Sequence, residues 1–339
     1  MKPFLKLLLG LTITALAVIV FFKSIDFSKL PEILSRISPL TLIATALLSV
    51  VALIFRALRL KVLLTARDGQ TTRSLFSIIT VSYMLNNVLP FRIGEAARVF
   101  IVTKKHGHSL PVSIGSLIAE RLLDTIGYAV LLIIPALIYG FYNTDLKILG
   151  LLPVSSFVLL VTAGLGLLLI CVLFFALKPE KTLKIIEKLR LKLPPFAAKL
   201  TIHIETMLRD SSNWLSNPYK AVMSLVWTFA SILCYTVSIY LIAVNLGAII
   251  PFSSACFTSG VVAFGVAVPS APGFAGTLDL AIQAGLTLFN INKDTAAATA
   301  IIYHLTGWVS VTLAGLVLWP GLNISLSDIK KGNDKGATQ

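Results

Sequence analysis

Three short runs put ionisable side chains where the surrounding sequence is apolar. The first runs from Asn86 to Arg98 and contains Pro90, Arg92, Gly94, Glu95 and Arg98. Arg92, Glu95 and Arg98 are three apart, so on a helix they share one face. Two guanidiniums against one carboxylate leave positive charge, and the planar guanidinium fork suits paired phosphate oxygens. Pro90 ends a helix, and Gly94 lets two backbones approach closely. A cytoplasmic membrane anchor with a structural Arg–Glu pair would use the same residues. The second run is Glu120, Arg121 and Asp124, inside an apolar stretch over 112–141. Charges at a helix centre cost about 2.5–3.5 kcal/mol each on insertion scales, so they face a bundle interior or a wet cavity. The simplest partners for Glu120 and Asp124 are Arg92, Arg98 or Arg121, as an ion-pair network holding a loop or as part of a binding site. The third run spans Val268 to Asp279 and carries Pro269, Ser270, Pro272, Gly273, Gly276, Thr277 and Asp279. Its Pro and Gly residues free backbone amides at the start of a helix near Gly276, which is a ready anion site. Asp279 in that first turn either caps the helix or joins the site. Gln283, and His304 with Trp308 one turn later, are candidates for the same lining; a lone helical histidine also serves as a packing residue. Arg56 and Arg59 sit at the end of an earlier apolar helix, where they either snorkel to the surface or contact phosphate.

The elements that must position these groups are membrane helices. The chain has 339 residues, 56% hydrophobic and 13% charged, with mean hydropathy +0.89. Soluble domains carry about 25% charged residues, and the apolar runs here approach or exceed the ~20 residues that span a hydrocarbon core. Full-length helices are expected over about 4–22, 39–64, 112–141, 150–177, 219–246 and 296–320. Leu75 to Pro90 and Phe252 to Phe289 are short or broken by Pro and Gly. Cations cluster after the second helix, before the third, over 178–220 and in the tail. The positive-inside rule puts all four groups in the cytoplasm. Six crossings satisfy that only if the two broken stretches each return to the side they entered, one from each face. The expected fold is therefore all-α: a polytopic membrane bundle of about six full helices plus two re-entrant hairpins, with both termini cytoplasmic. Each broken stretch has Pro, then Gly four positions on, then an acid, and the pair is expected to form an inverted repeat around a polar cavity. Residues 1–325 read as one membrane domain, with a basic, partly amphipathic cytoplasmic connection over 178–218 suited to an anionic inner leaflet. Residues 326–339 form a polar tail.

The same composition excludes several classes. A formal charge of +14 would suggest nucleic acid in a soluble protein, but here the cations lie between spans, so no nucleic-acid partner is expected. Cys171, Cys234 and Cys256 fall singly in apolar runs and form no disulfide framework or CxxC motif. The histidines give no metal-site spacing, and there is no GxxxxGK[ST] phosphate loop. No metal, ATP or other cofactor is expected. The N-terminal apolar run lacks a small-residue cleavage site and reads as a retained helix.

Taken in order, Arg56-x-x-Arg59, Leu89-Pro90-x-Arg92-x-Gly94-Glu95-x-x-Arg98, Glu120-Arg121-x-x-Asp124 and Pro272-Gly273-x-x-Gly276-x-x-Asp279 resemble the lysylphosphatidylglycerol synthase transmembrane-region, or flippase-like, family. That family includes the membrane half of the multiple peptide resistance factor. The resemblance covers nearly the whole chain. Two positions depart from the usual pattern: Phe274 stands where a second Gly is common, and Asp279 where Glu is common. The soluble aminoacyl-transferase domain of two-part members has no counterpart in the sequence, so the resemblance implies the membrane module without lysyl-lipid synthesis. It implies transbilayer movement of an anionic phospholipid or lipid-linked envelope precursor in the plasma (inner) membrane, and no enzyme activity. Arg92 and Arg98 would meet the headgroup from one side and the 272–276 loop from the other. Two alternatives are a membrane-embedded enzyme acting on lipid phosphates, with Glu120 and Asp124 as its acid–base pair, and a non-transporting scaffold for envelope-polymer synthesis.

Overall fold

The computed structural model describes Thr12 and residues 15–23, 26–64, 66–89, 92–148, 150, 152–177, 217–267 and 271–324, with a few positions between 180 and 187. The expected first helix is therefore described only in part, and residues 15–23 are helical. The basic connection over 178–218 and the tail over 326–339 fall almost wholly outside the described residues, as do Pro90, Phe91 and 268–270.

Ten helices of six residues or more follow: α1 (Leu30–Ser35), α2 (Pro39–Leu63), α3 (Thr72–Val88), α4 (Ile93–His106), α5 (Leu110–Ile138), α6 (Val154–Leu177), α7 (Pro218–Asn245), α8 (Phe252–Gly265), α9 (Thr277–Thr287) and α10 (Lys293–Leu318). A two-residue β-ribbon, Lys147–Ile148 with Leu152–Pro153, closes the turn before α6. Among the described residues, five helices are long and apolar enough to cross a membrane: α2, α5, α7, α10 and the Val154–Val172 part of α6. The molecule is an all-α polytopic membrane bundle.

Local chemistry sets the helix starts. Ser38, Thr71 and Asn217 each accept a backbone N–H three residues on, and proline occupies the first turn of α2, α5 and α7. These residues satisfy or remove amides that have no partner within the helix. With no hydrophobic drive between helices in lipid, close packing relies on small residues. A Cβ on Gly127 would come within 2.5 Å of Ile232, and one on Gly260 within 2.5 Å of Leu132. Gly94 meets the Ser82 carbonyl so closely that α3 and α4 could not pair with any other residue there.

The stretch expected to turn back within 75–90 is instead one helix, α3, which pairs with α4 beyond it, while the second broken stretch folds as the pair α8 and α9. α3 has 17 residues and α4 has 14; α8 has 14 and α9 has 11. Between α8 and α9 lies a short 3-10 turn, Pro272–Phe274. The tips of the two pairs meet. Arg92 donates to the Val266 carbonyl at 2.5 Å, and its guanidinium lies 5.3 Å from the Phe274 ring centroid. Trp308 of α10 donates to the Asn87 carbonyl at 3.3 Å and packs on Gly273. Both tips need left-handed backbone, at Arg92 (φ 53°), Gly273 (67°), Phe274 (61°) and Gly276 (80°).

Candidate functional site

At the centre of the bundle, helices α2, α4 and α5 bring five arginines against three carboxylates. Glu120 is fully buried; it accepts from Arg98 at 2.6 Å and lies 3.5 Å from Arg59. One turn later, Asp124 accepts from Arg59 at 2.5 Å and from Arg56 at 3.2 Å, with Arg121 at 3.7 Å. Arg59 also donates to Thr228 at 3.0 Å. Glu95 lies 3.5 Å from both Arg92 and Arg121. The cluster carries a surplus of two positive charges, with Arg92, Arg121 and Glu95 partly exposed and the rest buried. The Nε atoms of Arg56 and Arg121 and Nη2 of Arg98 are buried without a hydrogen-bond partner among the described residues. A buried guanidinium left in that state is an electrostatic invitation to an anion.

Beside the cluster lies a cavity of about 340 Å³. Arg56, Arg121 and Arg92 line it together with Glu95 and Asp124, as do the tip residues Gly273 and Phe274 and the α10 residues His304 and Trp308. Tyrosines Tyr83, Tyr128, Tyr235 and Tyr303 form much of the remaining wall. Tyr83 accepts from Arg56 at 2.6 Å, and the Arg56 guanidinium lies 5.1 Å from the Tyr83 ring and 5.5 Å from that of Tyr235. One side of the cavity is thus cationic and the rest amphipathic, a combination suited to a headgroup carrying negative charge.

The α8–α9 tip contributes a different device. Asp279 accepts the Gly276 amide at 2.9 Å, the acid's half of a capping box, and its other oxygen lies 2.9 Å from His304 Nδ1. Asp279 therefore both caps α9 and orients His304, which lines the cavity.

The structure sorts the residues singled out from sequence. Arg56, Arg92, Glu95, Arg121, Asp124, Gly273 and His304 line the cavity. Arg59, Arg98 and Glu120 lie behind it as a buried support, while Pro272, Gly276 and Asp279 shape the tip. Arg98 does not share the exposed face of Arg92 and Glu95; it turns to Glu120 and is 3% exposed. Arg56 and Arg59 do not snorkel: they are 5% and 0% exposed, drawn inward by Asp124. Gln283 is buried against the Lys293 carbonyl and does not line the cavity. The tyrosines were missed. The available signal was four polar rings set within long apolar helices, Tyr128 one turn after Asp124 and Tyr303 next to His304.

Apolar spans enclosing a charged, tyrosine-lined cavity define a multi-pass membrane protein with an internal polar site. The family model described as Lysylphosphatidylglycerol synthase TM region matches residues 7–315, and the chain belongs to that family. Among curated proteins it is similar to the UPF0104 membrane protein MJ1078 of Methanocaldococcus jannaschii, with 25% identity over 235 residues, covering 69% of this chain and 92% of that protein.

Proposed function

We propose that this protein moves an anionic phospholipid or lipid-linked envelope precursor between the leaflets of the plasma (inner) membrane, as a flippase or scramblase without enzyme activity. The observation that carries this reading is the cavity wall of Arg56, Arg92 and Arg121, drawn from three helices and leaving excess positive charge. The two helix pairs act as re-entrant elements of an inverted repeat, one entering from each face, and their touching tips lie near the bilayer midplane. The phosphate engages Arg92, Arg121 and Arg56, while Arg59, Arg98 and Glu120 hold the scaffold. Acyl or polyprenyl chains stay in lipid, and both termini are cytoplasmic.

The test uses purified protein in liposomes with a fluorescent phosphatidylglycerol and dithionite quenching from outside. Wild-type vesicles should quench beyond the outer-leaflet fraction. Arg92→Ala combined with Arg121→Ala should slow the excess phase by roughly tenfold or more, the scale of two lost charge-assisted contacts. These two arginines are the more exposed members of the cluster, so the variant keeps the buried support. Unaltered translocation in the folded double variant would refute the site.

A further inference from the structure

Within the cavity, the groups that carry charge fall into two kinds. Arg56 of α2, Arg92 of α4 and Arg121 of α5 stay protonated at any physiological pH. Glu95 and Asp124 are each held by more than one of those guanidiniums or by Arg59. Phenols such as Tyr83, Tyr128, Tyr235 and Tyr303 ordinarily titrate near pH 10. His304 is a different chemical type: an imidazole changes charge between about pH 5 and 8. Of the elements packed on it, α9 supplies Asp279 in direct contact, α2 supplies Arg56 across the cavity, α3 supplies Tyr83, and α7 supplies Tyr235.

We propose that His304, oriented by Asp279, is the residue through which the cavity takes up and releases a proton, making headgroup movement proton-coupled. Nδ1 is committed to the Asp279 carboxylate at 2.9 Å. Nε2 takes a proton from water on one face and returns it to water on the other, so only an N–H bond forms and breaks. A neutral imidazole has one N–H and a cationic one has two, so the proton changes what the ring can hold. Trp308, one turn after His304, packs on Gly273, and the next residue, Phe274, lies against the Arg92 guanidinium. Protonation at α10 is therefore transmitted through the 271–276 turn to the cationic wall. A proton arriving with an anionic headgroup would also offset its charge in the low-dielectric centre.

The coupling rests on the translocation reading; the protonation does not, and the two are tested separately. In nanodiscs, ¹⁵N-histidine spectra across pH 4.5–8.5 should contain one imidazole whose midpoint moves in Asp279→Asn and whose signal is missing in His304→Gln. The same number of titrating imidazole signals in wild type and in folded His304→Gln overturns the proton site. In liposomes, a one-unit pH gradient acting on one proton per lipid should shift the leaflet ratio of the fluorescent phosphatidylglycerol by up to about tenfold, and His304→Gln should abolish that shift. A wild-type ratio indifferent to the gradient, or a shift retained in folded His304→Gln, overturns the coupling. A wild type that moves no probe lipid sinks the translocation reading, and the titration then judges the proton site alone.

Discussion

Glu120 is fully buried and faces two guanidiniums; Arg59 is shared with Asp124, while Arg98 pairs with Glu120 at 2.6 Å. Glu120→Ala leaves Arg98 without that carboxylate and should cost roughly 3–5 kcal/mol, the scale of breaking a buried pair from one side. A thermal-unfolding midpoint in detergent that did not fall would show that the pair adds little stability. Phe274 is a second residue where energies compete. Left-handed backbone costs a non-glycine residue about 1–2 kcal/mol, and the ring recovers part of this by lying 5.3 Å from the Arg92 guanidinium, a contact worth roughly 0.5–2 kcal/mol. This conformation gives a physical reason for glycine at the position, and this chain replaces that ease with an aromatic contact. Phe274→Ala keeps the strain and loses the ring, so it should be less stable than Phe274→Gly by about 1 kcal/mol. The reverse order in denaturation midpoints would remove strain from the account.

The α3–α4 pair shows how far sequence carries an element and where it stops. Its outer corner is fastened by two buried histidines: His106 Nε2 lies 3.1 Å from Ser74 Oγ, and His108 Nε2 lies 3.0 Å from Gln70 Oε1. Burial first, then Lys105 beside His106 and Arg67 beside His108, pushes both imidazoles below their ordinary range. The opened state then binds protons more readily than the packed one, so the corner holds fully above about pH 6.5 and weakens as pH falls below it. Hydrogen exchange over 103–110, corrected for intrinsic rate, should rise between pH 7.5 and 5.5, and protection equal at both would contradict the assignment. That α3 stops short was legible because the segment is apolar and ends at Pro90; that its partner is the more polar Ile93–His106 was not, whereas the break between α8 and α9 fell within the expected 252–289. Arg98 was one of three partners open to Glu120 in the sequence, and packing of adjacent helices 22 residues apart selects it. The partners of Asp124 were less so: Arg59 is 65 residues away and Arg56 is 68, and an arginine near a helix end reads equally well as a snorkelling anchor. The tyrosine wall was illegible for a related reason, since Tyr83, Tyr128, Tyr235 and Tyr303 come from four helices and only packing joins them.

For the whole molecule the issue is which end faces the cytoplasm, and the bundle's two ends differ in charge. At one end, Arg67 donates to the Gly107 carbonyl, Lys61 to Thr72 and Lys105 to the Gly321 carbonyl, tying together the turns after α2, α4 and α10. At the other, the Asp26 amide donates to Asp294, the Ser38 amide to Asn245, and Tyr139 pairs with Ser253. The second end sets Lys23, Lys29, Arg36, Lys147 and Lys293 against Asp26, Glu32, Asp145 and Asp294, a near balance. The first end carries Lys61, Arg67, Arg73, Lys104 and Lys105 with Asp68, and α6 leads toward it while α7 departs from it. The sequence between those two helices is rich in cations, from Lys178 and Lys181 to Arg209. Loops rich in Lys and Arg stay in the cytoplasm, so the prediction is that the first end is cytoplasmic and the ribbon before α6 faces outward. The ends are far enough apart to be told apart chemically, because the 29 residues of α5 extend about 43 Å at ~1.5 Å each, against a hydrocarbon core of about 30 Å. With Cys171, Cys234 and Cys256 replaced by Ala, exposed Asp145→Cys should react with a membrane-impermeant maleimide on intact cells. Asp68→Cys, equally exposed at the first end, should react only after permeabilisation. The opposite pattern would invert the orientation, moving Arg92 and the α3–α4 pair to the outer leaflet's side. It would then be the α8–α9 tip, with Asp279 and His304, that first meets a lipid arriving from the cytoplasm.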